Sequence, residues 1–260
     1  MNTAKDKTGL FRGHLHVARM AYRSADYRAA LRNLNSAQYA IEQTGQKPDD
    51  IDMHEFKRLY GKVYLALKHL DQAETAFREA FELSSRGGFA TARILISDNR
   101  HIADCVRLRG KLQEAETIYK QCIEQLDLDE DQSDHQLAKS YLGLAQVYID
   151  AKQLDKATQS IKTALSLFEH SPGERSFWYG RTLVTQARLL WAQDRKAESM
   201  LALEQSLTIM EPLLGPDHPI RTLALSRVAK VLNHEGDEKK ASKIVAELKE
   251  IEKYLKDHDN

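Results

Sequence analysis

Apolar residues along this chain fall at helical spacing in short blocks, and the blocks recur at a nearly constant interval. In the stretch beginning at Tyr141 they stand at Tyr141, Leu144, Ala145 and Tyr148, after which the run AKQLDK interrupts the stripe. A second stripe follows at Ala157, Ile161, Ala164 and Leu165. Residues three and four apart share one face of a helix, so each block predicts two antiparallel helices joined by a tight polar turn.

Small residues mark the interval. Ala30, Ala73, Ala115, Ala157, Ser199 and Ala241 are separated by 43, 42, 42, 42 and 42 residues. Four positions after each comes a bulky residue: Leu34, Phe77, Tyr119, Ile161, Leu203 and Val245. Twelve positions before each comes another small one: Ala18, Gly61, Ala103, Ala145, Ala187 and Ala229. Small side chains let two helix backbones cross closely, and bulky ones fill the groove beside the crossing. One helix pair cannot bury both of its faces, so neighbouring pairs must stack, and a fixed interval of this length means an array of units. The expected architecture is all-α, a single elongated domain of six stacked helix-turn-helix units. Their bounds fall near 11–53, 54–95, 96–137, 138–179, 180–221 and 222–258, after a loose tail at 1–10. The highly charged last helix, from Lys239, reads as a solubilising cap.

Composition agrees. Most glycine and proline sits in joins such as Arg86-Gly87-Gly88 and Ser171-Pro172-Gly173 or in turns such as Gly110 and Gly236, while Gly13, Gly61, Gly143 and Gly180 lie at or in first helices. Lys plus Arg and Asp plus Glu both number 38, so the chain as a whole is not drawn to nucleic acid or an anionic membrane. No apolar run is long enough to cross a bilayer, and the N-terminal residues carry no apolar core of a secretory signal, so a cytoplasmic location is expected. Cys122 stands at a small core position and reads as a reduced, packed thiol, with Cys105 in the same unit.

No catalytic constellation is legible. The ten histidines are scattered, and no metal-ligand spacing, phosphate-binding glycine loop or nucleophile elbow occurs. The acidic stretch Asp127, Asp129, Glu130, Asp131 and Asp134 lacks the glycine and closing glutamate of a calcium loop and reads as a solvated connector. Neither an enzyme, nor a cofactor, nor a metal is expected.

The small–bulky–small order resembles the tetratricopeptide repeat. It is carried in the fourth unit by Leu144-Ala145, Tyr148, Ala157, Ile161 and Ala164, and in the second by Gly61, Tyr64, Ala73, Phe77 and Ala80. The third unit gives Ala103, Val106, Ala115, Tyr119 and Cys122. The 42-residue interval and the join Leu214-Gly215-Pro216-Asp217-His218-Pro219 resemble the longer repeats of kinesin light chains. That subgroup's Asn pair is replaced here by Leu142-Gly143, Val184-Thr185 and Ser226-Arg227. The resemblance implies a right-handed α-solenoid whose first helices line a concave, non-catalytic, partner-binding face.

On that resemblance, the groove positions lie six and three residues before, and one and four after, the leading small residue of each unit. Of the 24 positions ten are basic and two, Glu55 and Asp104, are acidic. The basic ones are Arg12, Arg19, Arg58, Lys62, Arg100, Arg107, Lys139, Arg181, Arg188 and Lys230, with Tyr22, Leu65, Ile149 and Trp191 as apolar sockets between them. Such a face predicts a scaffold or adaptor that takes an acidic peptide or partner segment, since arginine grips carboxylates through paired hydrogen bonds. The alternative is a regulatory sensor that changes curvature on binding a peptide. Nucleic acid is the weakest of the three readings, because few aromatics lie there for base stacking. The lysine and asparagine by which related repeats clamp a chaperone tail are replaced in the first unit by Leu15 and Arg19. Phe177, Trp178 and Tyr179 read as packing between units, or else as a self-association patch.

Overall fold

Helices pair along the chain as the interval predicts. In the computed structural model they are α1 (Gly9–Arg23) with α2 (Tyr27–Thr44), α3 (Asp50–Ala66) with α4 (Leu70–Arg86), and α5 (Ala92–Leu108) with α6 (Leu112–Asp127). Then come α7 (Asp134–Asp150) with α8 (Leu154–His170), and α9 (Phe177–Ala192) with α10 (Lys196–Met210). The structure describes residues 8–45, 47–127, 134–170, 177–210, 212–213, 222, 224–226, 228–229, 239–246 and 249. The proline-containing joins at 171–176 and 214–220, the centre of the acidic connector, residues 1–7, Lys230, Gly236 and most of the last helix lie outside the described residues. α1 begins at Gly9, so Gly9 and Leu10, at the end of the expected tail, are helical. Among the described residues there is no strand. By its contacts the chain divides into two compact units, 1–129 with α1–α6 and 130–260 with α7–α10 and the described part of the sixth repeat.

All twelve small marker positions, from Ala18 and Ala30 to Ala229 and Ala241, are buried. In the second and fifth repeats contacts at these positions run directly between the two helices. The one serine among them, Ser199, stays in the core by donating its hydroxyl hydrogen to the Ala187 carbonyl at 2.8 Å, across the crossing of its own repeat. Gly61 is the one glycine among them, and it meets the Phe77 ring. A Cβ built on it would stand 2.7 Å from the Phe77 ring, so the phenylalanine occupies the volume that an alanine fills in the other repeats. Gly61→Ala is expected to overpack this crossing and cost about 1–3 kcal/mol. In urea melts the double variant Gly61→Ala/Phe77→Leu should recover most of that loss.

The turn between the helices repeats as faithfully as the core. Ala25, Lys68, Gly110, Lys152 and Asp194 each adopt positive φ, between 58° and 81°, and they stand at the same register in five successive repeats. From the second repeat on they close the first helix in one way. His69, Lys111, Gln153 and Arg195 donate their backbone N–H to the carbonyls of Tyr64, Val106, Tyr148 and Leu190, five residues back. This is the bonding pattern of a left-handed helix cap, which turns the chain sharply into the second helix. Gly110 is the one glycine among these five positions, and the other four hold L-residues in a conformation that glycine adopts without strain.

Stacking then closes the core. Met53, Phe56, Leu59, Tyr60 and Val63 on α3 pack into one cluster with Phe11, Leu15, Ala18, Ala30, Leu34 and Ala37 of the first hairpin. In the second unit Val184, Ala187, Leu190, Ala202 and Leu203 of the fifth repeat pack with Ala224, Val228 and Ala241 of the sixth.

Candidate partner-binding face

First helices of adjacent repeats touch one another in both units, α1 with α3 and α7 with α9. Residues on their shared side are therefore positioned by two helices at once, and four of the predicted basic residues reach across to a carboxylate of the neighbouring repeat. In the first unit Arg12 donates from Nε to Asp52 at 2.7 Å and approaches Asp49 at 3.5 Å. Arg19 pairs with Glu55. Arg58 lies 3.4 Å from Asp98 on α5. In the second unit Arg188 on α9 pairs with Asp150 on α7, and Gln146 donates to Thr185 at 3.5 Å. The face is a ladder of ion pairs between helices, with basic and acidic groups interleaved.

The densest part surrounds Asp98, which is fully buried. One carboxylate oxygen is 2.7 Å from His54 Nε2 and accepts from the Ser84 hydroxyl at 3.2 Å; the other faces Arg58. His54 also meets the edge of the Phe89 ring. Ser, His and Asp thus meet in one place, but the aspartate stands between the other two. No bond runs from Ser84 to His54 to activate the hydroxyl, so the trio has the wiring of a structural clasp and lacks that of a nucleophile. Arg100, two residues after Asp98, is buried. Lys62 lies partly buried among these groups. Burial, then the nearby Arg58 charge, push its ammonium down to about 8, against the opposing pull of Asp98.

Farther along α5, Asp104 accepts a hydrogen bond of 2.7 Å from the buried Tyr119 hydroxyl, beside half-buried Arg107. His101 stacks on Phe77 with ring centroids 4.8 Å apart. Cys105 and Cys122 are buried and unbridged, and burial pushes both thiols up to about 12, so they stay protonated. Among the described residues no cluster of metal-ligating side chains occurs.

Of the apolar positions, Tyr22 packs against Tyr27 at 5.6 Å, Leu65 is half-buried and Ile149 is buried. Trp191 remains exposed, with the Lys196 ammonium 5.7 Å from its ring centroid. Lys139 and Arg181 converge on Trp178, at 4.4 Å and 4.9 Å from its ring centroid. Trp178 and Tyr179 pack against the Ala138, Leu142, Ala164 and Phe168 cluster, and Phe177 meets Trp178 edge-on.

Sequence reasoning missed the acidic half of this face. Asp98 stands 42 residues after Phe56, on a register that faces the preceding repeat, and Ser140 and Thr182 follow at the same interval. A change from apolar to polar along one stacking register was the available signal.

No helix of the described residues is long and apolar enough to cross a membrane. Two family models described as tetratricopeptide repeat match the chain, at residues 136–211 and 59–86. No curated protein sequence matches it. Among solved structures, BtubC (BKLC) from P. vanneervenii is 17% identical with a TM-score of 0.61, over 94% of this chain and 92% of that one. A Rap protein complexed with competence and sporulation factor is 12% identical with a TM-score of 0.68, over 95% of this chain and 76% of that one. Repeats of a Podosopora anserina kinesin light chain are 15% identical with a TM-score of 0.52, over 83% of this chain and the whole of that one. At these identities the likeness is one of fold.

Proposed function

We propose that this chain, a tetratricopeptide-repeat protein with an all-α solenoid fold, is a non-catalytic scaffold that holds an acidic segment of a protein partner on the face formed by its first helices. Lys62 is the observation that carries this reading. Arg12, Arg19, Arg58 and Arg188 already hold a carboxylate of the neighbouring repeat, whereas the Lys62 charge is opposed by Arg58 and Arg100 and favoured by Asp98 and Glu55. Both carboxylates near Lys62 are engaged elsewhere, Glu55 by Arg19 and Asp98 by His54, Ser84 and Arg58, which leaves the half-buried Lys62 charge incompletely answered. An incoming glutamate or aspartate side chain would balance it with charge-assisted hydrogen bonds. A fold neighbour, the Rap protein, was solved in complex with competence and sporulation factor, which favours a binding role over a purely architectural one.

Arg58 and Arg100 are poor probes of this idea, because one holds the buried Asp98 and the other is itself buried. Lys62→Gln removes the charge while leaving the ion pairs in place. With a fluorescent peptide of alternating glutamate and leucine, anisotropy should show binding that weakens as salt rises and is about tenfold weaker in Lys62→Gln, equivalent to one charge-assisted contact. Equal affinity in the variant, or no binding at low salt, would overturn the proposal.

A further inference from the structure

In the second repeat, the face of α3 that stacks on the first hairpin carries Met53, Phe56, Tyr60 and Val63, and Phe56 and Val63 are fully buried there. Ile102 and Cys105 in the third repeat hold two of these registers and are buried; so are Thr182 and Leu189 in the fifth. One interval back, the four positions fall on α1 at Leu10, Gly13, Val17 and Met20. There Leu10 is 65% exposed, Val17 48% and Met20 50%. Tyr39 of α2, 61% exposed, lines an open hollow with Leu10 and His14.

We propose that this face of α1 docks against the same face of a second copy of the chain, forming a two-fold dimer. Scattered exposed apolar residues are ordinary, but here they occupy the register that forms the stacking interface elsewhere in the array. The face continues, in position and chemistry, the interfaces inside each unit. None of its four register positions bears a charge, so placing it on its own image creates no like-charge contact, as an isologous interface requires. Gly13 has open space where a side chain would stand. That leaves a dent beside Leu10 and Val17 which an apolar side chain of the other copy fills.

Sedimentation equilibrium on the full chain tests this. The wild type should weigh as a dimer at micromolar concentration, and Val17→Glu/Met20→Glu as a monomer with an unchanged helical circular-dichroism spectrum. Leu201→Glu, at an exposed apolar position on α10 (58% exposed), should remain dimeric. A wild type that stays monomeric up to about 100 µM, within the range where specific interfaces associate, overturns the proposal. So does a double variant that still dimerises, or a Leu201→Glu that dissociates equally.

Discussion

Asp98→Ala should destabilise the first unit by about 3–5 kcal/mol, the loss that follows when one member of a buried, hydrogen-bonded charge group is removed. Asp98 is fully buried, and its two oxygens meet His54 and Arg58 of α3 and Ser84 of α4, the two helices of the preceding repeat. Without the carboxylate, Arg58 loses this counter-charge, and Lys62 loses the stronger of the two anions that offset Arg58 and Arg100. His54 and Ser84 then lose a shared acceptor in a place that water does not reach freely. Asp98→Asn separates the two contributions, since it keeps the shape and one acceptor oxygen but removes the charge. It should fall between the wild type and Asp98→Ala. Urea denaturation followed by circular dichroism measures both. In a stacked array the damage is confined to neighbours, so the second and third repeats should lose structure while the second unit melts as before. A loss of less than about 1 kcal/mol, the scale of an exposed ion pair, would mean that the cluster is hydrated and contributes little.

The contrast between Ala157 and Asp98 explains what could be read from sequence. Ala157 belongs to a set of equivalents at a constant interval, each constrained by the same steric need for a close helix crossing, so six weak signals reinforce one another. The hairpins, the register and the stacked all-α architecture followed from that reinforcement. Ser199 kept its place despite being polar, because its hydroxyl finds a carbonyl within the same repeat. Asp98 has no such set: Phe56, Ser140 and Thr182 share its register but not its charge. Its role depends on His54, Arg58 and Ser84, which lie between 14 and 44 residues away in sequence. The charge of the partner-binding face was likewise only half legible. Counting four positions per repeat finds the arginines, whereas Asp49, Asp52, Asp98 and Asp150, which answer them, stand at other registers. Trp178 is a third instance. Three adjacent aromatics can be noticed in a sequence, but two cations converging on the middle one depend on how α7 and α9 meet.

Lys62→Met should stabilise the protein by about 3 kcal/mol at pH 7, taking about 1.4 kcal/mol for each pH unit by which a pKa is displaced. Burial and Arg58 bring Lys62 from 10.5 down to about 8, so below pH 8 the folded chain carries a charge that its surroundings oppose. Methionine keeps the aliphatic volume and removes that charge. The sign of the pH dependence follows from proton counting. Between pH 8 and 10.5 the unfolded chain holds a proton on Lys62 that the folded chain has released, so this residue makes wild-type stability rise with pH over that window. The advantage of Lys62→Met should therefore shrink from pH 8 and vanish by about 10.5. Cys105, Cys122, Tyr27 and Tyr60, all raised to about 12, act in the opposite sense above pH 9, because the folded chain keeps protons that the unfolded chain loses. They are common to both proteins, so the difference between wild type and variant, measured in urea at pH 7, 8.5 and 10, isolates Lys62. A difference independent of pH would show that the lysine is solvated and carries no strain. A difference that shrinks as expected, together with weaker peptide binding by the variant, would mean that this position gives up stability to keep a cation ready for an acidic partner.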